Sequence, residues 1–230
     1  SNINKNAGVL HHDLLAARVK QEGADLGAAY DGDGDRCILA DETGTARDGD
    51  HILAAAAAEL PKGSVVVSTV MANYGLETWL RERGITLKRT PVGDRWVADE
   101  MRRSGATLGG EQSGHVIFGD AAPTGDGMLT TVRMLKLMRD KGKPLSQLCA
   151  GFRKTPQVLA NVPVREKPPI ETVTAVATAI QGAEKGFDGR ILVRYSGTEP
   201  VCRVMVEGTD EAKVRQVADS LSEVVRKTLG

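Results

Sequence analysis

Three aspartates alternate with glycine near the start of the chain, at Asp31, Asp33 and Asp35. Carboxylates that a tight turn brings together repel one another unless a cation lies among them. Oxygen ligands on a glycine-containing turn suit a hard divalent ion such as Mg²⁺. Arg36 follows directly and adds a fixed positive charge that can face an anionic ligand. Residues 31–36, the acidic loop, are therefore a candidate magnesium site.

Two other interpretations of the acidic loop compete with this one. A run of alternating acids can be a solvated surface turn. The spacing also resembles the first half of an EF-hand calcium loop, with Ile38 and Glu42 at the positions of its apolar residue and its bidentate ligand. Arg36, however, stands where the EF-hand requires glycine, and the flanking residues 24–30 and 37–40 have the composition of strands rather than helices. The sequence favours a strand, a metal-binding loop and a second strand.

A second polar stretch, the sugar loop, covers residues 110–115 and reads Gly-Glu-Gln-Ser-Gly-His. Glu111 and Ser113 lie two residues apart after a short predicted strand, and a carboxylate with a hydroxyl can bind the hydroxyls or the amine of a sugar. Glu111 could equally be an exposed turn residue, and His115 a buried histidine at the start of a strand. This loop alone does not decide between a ligand site and a simple turn.

A third stretch, the phosphate loop, covers residues 194–200 and reads Arg-Tyr-Ser-Gly-Thr-Glu-Pro. Its arginine, two hydroxyls and backbone N–H groups surround one glycine, and phosphate is bound by such a combination of a bidentate cation with neutral donors. An ordinary hairpin turn uses the same residue types. Taken together, the three loops indicate a metal-assisted enzyme that acts on a phosphosugar.

The elements around these loops predict an α/β protein. Helices and strands alternate over residues 48–151, including the β-branched run at 64–69 that is typical of a buried parallel strand. Four prolines between positions 156 and 169 mark a joint, and the order after it is β-α-β-β-α, which predicts a small α+β domain with two helices on one face of an antiparallel sheet. We therefore predict a partial domain at 1–47, an α/β domain with a mixed sheet at 48–151 and an α+β domain at 152–230.

Composition excludes several functions for this chain. Its 230 residues include 30 basic and 30 acidic residues, a balance that argues against a nucleic-acid partner. No apolar stretch approaches the roughly 20 residues of a membrane span, and no signal peptide is visible, so no membrane partner is expected. The three cysteines are widely spaced and match neither a disulfide framework nor a zinc site, which favours the reducing cytoplasm.

The ordered set of motifs resembles the α-D-phosphohexomutase family. The motifs are DGDGDR at 31–36, TPVGDR at 90–95, GEQSGH at 110–115 and RYSGTEP at 194–200. The resemblance implies a heart-shaped enzyme of four domains, of which this chain corresponds to the end of the second, the third, and a fourth domain similar to the TATA-binding protein. The family's phosphoserine loop, of the Ser-His-Asn-Pro type, does not occur in this sequence. We therefore predict that the chain is a C-terminal half and is inactive alone.

The resemblance also implies roles for individual residues. Mg²⁺ would bridge the family's phosphoserine and the three aspartates of the acidic loop, with Arg36 beside the transferred phosphoryl group and His115 as a candidate for proton transfer. Glu111 and Ser113 would hold sugar hydroxyls, and the loop that contains Arg95 would help to select the orientation of the sugar. The phosphate that is not being transferred would be held by Arg194, Ser196, Gly197, Thr198 and Arg203.

Gln112, together with the VGDR motif, indicates the branch of the family that interconverts glucosamine 6-phosphate and glucosamine 1-phosphate for the synthesis of UDP-N-acetylglucosamine and the cell wall. The expected partners are the phosphosugar and the N-terminal half of the same enzyme. A homodimer of the full-length protein is a further possibility. The alternatives are a mannose or glucose phosphate mutase of the same family and a non-catalytic module that binds a metal or a phosphosugar. An aspartyl-phosphate phosphatase would need a lysine and a further acidic pair that the sequence does not clearly supply.

Overall fold

The strands on either side of the acidic loop form a small sheet of their own. In the computed structural model, which describes residues 4–230, the sheet is antiparallel and its order is β1-β2-β3. Before it lies α1 (His12–Glu22), and the strands are β1 (Leu26–Tyr30), β2 (Cys37–Asp41) and β3 (Ala46–Arg47). Gly27 lets α1 lie close to β1, because a Cβ atom there would collide with Val19. The structure thus has the predicted strand, loop and strand, and adds the two-residue β3, which is too short to show a sequence pattern.

A four-stranded mixed sheet follows in the same compact unit. This unit contains the described residues up to Ala72 together with Leu76–Arg153. The sheet order is β5-β4-β6-β7, with β4 parallel to β5 and β6, and β7 antiparallel to β6. The elements in chain order are α2 (Gly49–Ala57), β4 (Val65–Thr69), α3 (Tyr74–Glu82), β5 (Thr86–Thr90), α4 (Asp94–Ser104), β6 (Leu108–Gly110), β7 (Val116–Phe118), α5 (Gly127–Lys141) and α6 (Leu145–Cys149).

The core of this unit joins its two sheets. Leu39 of β2 packs in one buried cluster with Ile52 of α2 and Met134 of α5. Residues 66–69 of β4 are buried, as expected for a central parallel strand covered on both faces. A smaller cluster, which includes Val97 of α4, covers the other face of the mixed sheet. The acidic loop is therefore attached to a packed core rather than to a free terminal segment.

The second unit is the predicted α+β arrangement. It contains Asn73–Gly75 and Lys154–Gly230. Its sheet is antiparallel, its strand order is β8-β10-β9, and its two helices pack on the sheet and on each other around a valine-rich core. The elements are β8 (Gln157–Pro163), α7 (Thr174–Glu184), β9 (Gly189–Tyr195), β10 (Val201–Gly208) and α8 (Glu211–Leu229). The β-α-β-β-α order and the α/β fold with a mixed sheet are confirmed, whereas the predicted domain boundaries after residues 47 and 151 stay predictions.

Two local expectations differ from the structure. The sequence predicts one helix over residues 170–184. The structure has a 3₁₀ turn at Ile170–Thr172 followed by α7, because Val173 takes φ −87° and ψ 87° and interrupts the helical hydrogen bonds. The sequence predicts Asp50 as the N-cap of the helix that follows residue 48. In the structure Asp48 is the N-cap of α2, since its carboxylate accepts a hydrogen bond from the backbone of His51. Within residues 4–230, no helix has the length and the apolar character that crossing a membrane requires.

Candidate functional site

The acidic loop brings its three carboxylates together. Its ends are fixed by the pairing of Tyr30 with Cys37 across β1 and β2. One carboxylate oxygen from each aspartate lies within 4.8 Å of the others, for Asp31, Asp33 and Asp35. Asp31 and Asp35 are half-buried, and Asp33 is exposed. Three carboxylate oxygens therefore lie close enough together to be candidate ligands of one hard cation.

The pKa values of Asp31 and Asp35 are shifted in opposite directions within this cluster. Burial opposes ionisation of Asp31, but the hydrogen bond from the Arg36 backbone and the Arg36 charge together hold the pKa of Asp31 below its usual value. Burial and the neighbouring Asp31 carboxylate raise the pKa of Asp35. In addition, no donor among residues 4–230 forms a hydrogen bond with the buried Oδ1 of Asp35. A divalent cation would relieve both the repulsion and the unpaired oxygen, so the residues fit Mg²⁺.

Arg36 lies at the edge of the carboxylate cluster. Its Nε is 3.5 Å from Asp31 Oδ2 and 3.8 Å from Asp35 Oδ1, and its side chain is 46% exposed. Its backbone forms an isolated antiparallel bridge with His115. This bridge places the sugar loop directly beside the acidic loop, a contact between segments that are far apart in the sequence.

His115 faces the acidic loop from the sugar loop. Its side chain is buried, and its Nε2 lies 3.6 Å from Asp35 Oδ2. Gly125 makes room for the ring, because a Cβ atom at that position would collide with it. Neither ring nitrogen forms a hydrogen bond within the part of the chain that the structure describes. The imidazole is therefore held against a carboxylate with its hydrogen-bonding capacity unused, a position from which it could exchange a proton with a ligand.

The sugar loop also contacts the VGDR segment. Oε1 of Glu111 accepts a hydrogen bond of 3.1 Å from the backbone N–H of Gly93, which precedes α4. On its other side the loop is fixed by a hydrogen bond of 3.1 Å from Gly49 N to Gln112 O. Gly49 admits no side chain, because a Cβ atom there would collide with the carbonyl oxygen of Glu111. The Glu111 carboxylate thus has a defined position beside the start of α4.

Two predicted ligand residues in this unit are exposed. Ser113 lies at the surface of the sugar loop. The Arg95 side chain is 83% exposed and lies along α4, with Nε 3.8 Å from Asp99 Oδ2 and its guanidinium 5.8 Å from the Trp96 ring. The structure joins the Gly93 backbone to the sugar loop, but it shows no contact between Arg95 and that loop.

The first turn of α5 forms the base of the acidic loop. Asp126 caps the helix by accepting a hydrogen bond of 2.9 Å from Leu129 N. Gly127 donates its N–H to Gly34 O at 2.9 Å, and a Cβ atom on Gly127 would lie 2.7 Å from Arg36 O. Sequence reasoning missed this glycine. The Gly-Asp-Gly run at 125–127 is the signal that could have found it, because only glycine allows such a close approach between two backbones.

The phosphate loop lies in the second unit, at the turn between β9 and β10. The Ser196 N–H donates to Val201 O at 2.9 Å and closes the hairpin. Arg194 and Arg203 are directly opposite each other in the paired strands. Like charges in this register destabilise a sheet unless other groups offset them.

Within this loop the polar side chains already interact. Ser196 is buried, and its Oγ accepts a hydrogen bond of 3.2 Å from Glu199 N and one of 3.5 Å from Arg203. The Glu199 carboxylate pairs with the Arg203 guanidinium at 2.9 Å. Gly197 and Thr198 are exposed at the tip. The structure therefore brings together the five residues that were predicted to bind phosphate. One of their cations, Arg203, is paired with the Glu199 carboxylate of the same loop.

Two family models match the chain. The model described as phosphoglucomutase/phosphomannomutase, alpha/beta/alpha domain III, matches residues 48–155. The model of the C-terminal domain of the same family matches residues 159–224. Together the two matches cover most of the chain.

Curated relatives align over nearly the whole chain. The phosphoglucosamine mutase of Nitratidesulfovibrio vulgaris is 48% identical over 99% of this chain and 52% of its own length. That of Desulfovibrio desulfuricans is 48% identical over 100% of the chain and 52% of its own length. The chain thus spans about half the length of the curated relatives that it matches.

Solved structures with the same fold are more distant in sequence. A phosphoglucomutase/phosphomannomutase family protein from Burkholderia thailandensis has a TM-score of 0.75 and 24% identity, covering 96% of this chain and 51% of that one. The N-acetylphosphoglucosamine mutase of Aspergillus fumigatus, solved in complex with GlcNAc-6P and magnesium, has a TM-score of 0.73 and 20% identity, covering 98% of this chain and 53% of that one. With the two family models and the relatives at 48% identity, these likenesses lead to one conclusion: the chain belongs to the phosphoglucomutase/phosphomannomutase family, the α-D-phosphohexomutases.

Proposed function

We propose that this chain supplies the metal, sugar and distal-phosphate sites of a phosphoglucosamine mutase, which interconverts glucosamine 6-phosphate and glucosamine 1-phosphate. The observation that carries the proposal is the contact between the acidic and sugar loops, with His115 Nε2 3.6 Å from Asp35 Oδ2. A metal site beside a candidate proton donor and a sugar-binding carboxylate is suited to phosphoryl transfer between sugar hydroxyls. The identity of 48% with phosphoglucosamine mutases supports this branch of the family.

The acidic loop would hold Mg²⁺ through Asp31, Asp33 and Asp35. When bound, the ion neutralises charge on the oxygens of a phosphoryl group. Arg36 lies at the rim of the carboxylate cluster, where its guanidinium stabilises negative charge that develops on the same group. Magnesium in the related Aspergillus fumigatus structure supports the choice of metal.

The sugar would lie against the sugar loop. Glu111, fixed by Gly93, would accept hydrogen bonds from hydroxyl groups, and the exposed Ser113 would add a hydroxyl contact. His115 would move a proton to or from the reacting sugar hydroxyl. Arg95, whose side chain is 83% exposed at the start of α4, would add a cationic contact to the ligand.

The phosphate at the far end of the sugar would be held in the second unit. Arg194 and Arg203 supply the charge, Ser196 supplies a hydroxyl, and the turn at Gly197 and Thr198 supplies N–H groups. The phosphoserine that donates the phosphoryl group would come from the N-terminal half that the curated relatives have. Dimerisation of the longer protein and its place in the cytoplasm stay predictions.

Calorimetric titration of the 230-residue chain with glucosamine 6-phosphate, in the presence of Mg²⁺, tests the proposal. We expect binding that Arg203→Gln weakens at least fivefold, while the control Arg226→Gln on the exposed face of α8 leaves it unchanged. Tighter binding of mannose 6-phosphate or glucose 6-phosphate would favour a different mutase of the family. No binding of any of the three would contradict a phosphosugar site.

A turnover assay on the same sample tests the role of the N-terminal half. We expect no conversion of glucosamine 6-phosphate to glucosamine 1-phosphate, because the proposed phosphoserine lies outside these residues. Conversion at an ordinary enzymatic rate would contradict that assignment and would place the nucleophile within the chain.

A further inference from the structure

A lysine outside the predicted motifs contacts the phosphate loop. Lys167 lies in the segment between β8 and α7, and its Nζ donates a hydrogen bond of 2.7 Å to the carbonyl oxygen of Ser196. Ser196 is 3% exposed and forms the base of the loop. The contact joins two segments that are 29 residues apart in the sequence.

The backbone that carries Lys167 is held in place. Val164 N donates to Pro200 O at 2.9 Å, which ties this segment to the end of the phosphate loop. Arg165 N donates to Leu229 O at 2.8 Å, at the end of α8. Two prolines follow at 168 and 169 and restrict the chain beyond the lysine. The ammonium group is therefore presented to the loop by a fixed segment rather than by a free one.

The carbonyl that accepts this hydrogen bond belongs to the peptide group whose N–H is that of Gly197. A charged donor on a peptide oxygen polarises the whole peptide group and makes its N–H a stronger donor. The Gly197 N–H forms no hydrogen bond with any acceptor in residues 4–230, and Gly197 is exposed. Lys167 thus acts on an N–H group that is free to meet a ligand.

The charge of Lys167 also offsets a repulsive element of the loop. Glu199 places a carboxylate on Arg203, at 2.9 Å, and so reduces the positive potential that an anion would meet. The Lys167 ammonium group on the Ser196 carbonyl adds positive charge to the same loop. It also removes a bare carbonyl dipole that would otherwise repel a phosphate.

We propose that Lys167 is a positioning residue for the phosphate: it polarises and orients the Ser196–Gly197 peptide group, so that the Gly197 N–H binds a phosphoryl oxygen. This inference rests on the proposed function in that it takes a phosphate as the ligand of the loop. A purely structural tether would hold the loop in place without changing the strength of the Gly197 donor.

The test is an NMR titration of the ¹⁵N-labelled chain with inorganic phosphate. We compare Lys167→Met and Lys167→Arg with the control Lys185→Met, an exposed lysine after α7. Lys167→Met is expected to weaken phosphate binding at least threefold and to move the Gly197 amide proton upfield before phosphate is added. Lys167→Arg should restore most of both effects, and Lys185→Met should change neither. All variants should retain the thermal unfolding midpoint of the parent chain.

The outcomes separate this inference from the function on which it rests. If the parent chain binds phosphate and Lys167→Met binds it equally well, the role of Lys167 is wrong and the phosphate loop stands. If phosphate leaves the amides of residues 196–198 of the parent chain unchanged, both the loop assignment and the role of Lys167 are wrong. If Lys167→Met lowers the unfolding midpoint by several degrees and Lys167→Arg restores neither binding nor the Gly197 signal, Lys167 is only a tether.

Discussion

At the scale of single residues, the phosphate loop holds an internal competitor for its ligand. The Glu199 carboxylate pairs with Arg203 and lies 3.5 Å from Ser196 Oγ. A carboxylate and a phosphate attract the same groups, namely a guanidinium and a hydroxyl. A bound phosphate would therefore have to displace Glu199 from at least one of these two partners.

Removing this carboxylate should strengthen phosphate binding. Glu199→Gln keeps the shape of the side chain and loses its charge, so Arg203 becomes available and the repulsion of the anion falls. An exposed ion pair contributes about 1 kcal/mol at most, so we expect affinity for inorganic phosphate to rise by about threefold to fivefold in the NMR titration. Glu211→Gln, an exposed glutamate at the start of α8, is the matched control. Weaker binding by Glu199→Gln would show that the carboxylate holds Arg203 in place rather than competing for it.

At the scale of elements, helix α5 positions the acidic loop. Its first residue, Gly127, touches the loop backbone, and a Cβ atom there would lie 2.7 Å from Arg36 O and 2.9 Å from Gly34 O. These two carbonyl oxygens are backbone atoms that cannot rotate away, and the Tyr30 ring lies 2.8 Å from the same Cβ position. Any side chain at this position would have to push the loop and the helix apart.

Gly127→Ala tests this arrangement. We expect a loss of about 1–3 kcal/mol in the free energy of unfolding, the usual cost of overpacking, and at least tenfold weaker binding of Mn²⁺ as a magnesium substitute. The control is Gly182→Ala in the last turn of α7, where no atom outside the adjacent helix backbone lies within 4 Å of the added Cβ. That change should stabilise the second unit by about 0.5–1 kcal/mol, because alanine favours a helix over glycine. Urea unfolding measures both, and unchanged stability and metal binding in Gly127→Ala would contradict the account of α5.

At the scale of the whole molecule, the sequence predicted what local patterns determine. The short apolar stretches at residues 24–30 and 37–40 predicted the strands around the acidic loop, and the β-α-β-β-α order predicted the second unit. The grouping of Asp31, Asp33 and Asp35 follows from a turn of a few residues, so their types and spacing were enough. Errors arose where two local signals compete, as at Asp48 and Asp50, which both precede the same helix.

Contacts between distant segments could not be predicted in this way. The hydrogen bond from Gly93 to Glu111 and the bond from Lys167 to Ser196 depend on how separate loops pack. Neither Gly93 nor Lys167 belongs to a sequence pattern that identifies the residue to which it forms a hydrogen bond. A single sequence therefore indicates which loops carry chemistry, while the structure adds what holds each loop in position.

The cysteines give the whole molecule a predicted response to alkaline pH. Burial raises the pKa of Cys37, Cys149 and Cys202 to about 11 each. The folded chain keeps these thiols neutral while the unfolded chain ionises them from about pH 8.5, so their stabilising contribution is present below that pH and is lost as pH rises to about 11. The free energy of unfolding should therefore fall over this range, by on the order of 3 kcal/mol for each thiol.

Urea unfolding at several pH values between 8 and 11 measures this fall. Cys149→Ala should show a shallower decrease with pH than the parent chain, whatever its stability at pH 8. A stability that is constant over this range, or an equal decrease in Cys149→Ala, would contradict the account of the buried thiols.

The central claim is that the acidic loop is a metal site that adjoins the sugar loop. Paramagnetic broadening by Mn²⁺ in ¹H–¹⁵N spectra of the chain measures this most directly, because the effect depends steeply on distance from the ion. We predict that amide signals of residues 31–36 and 111–115 broaden first, that those of α8 persist, and that Asp33→Asn abolishes the pattern. Broadening that begins elsewhere, or that spares residues 111–115 while the acidic loop binds, would contradict the account.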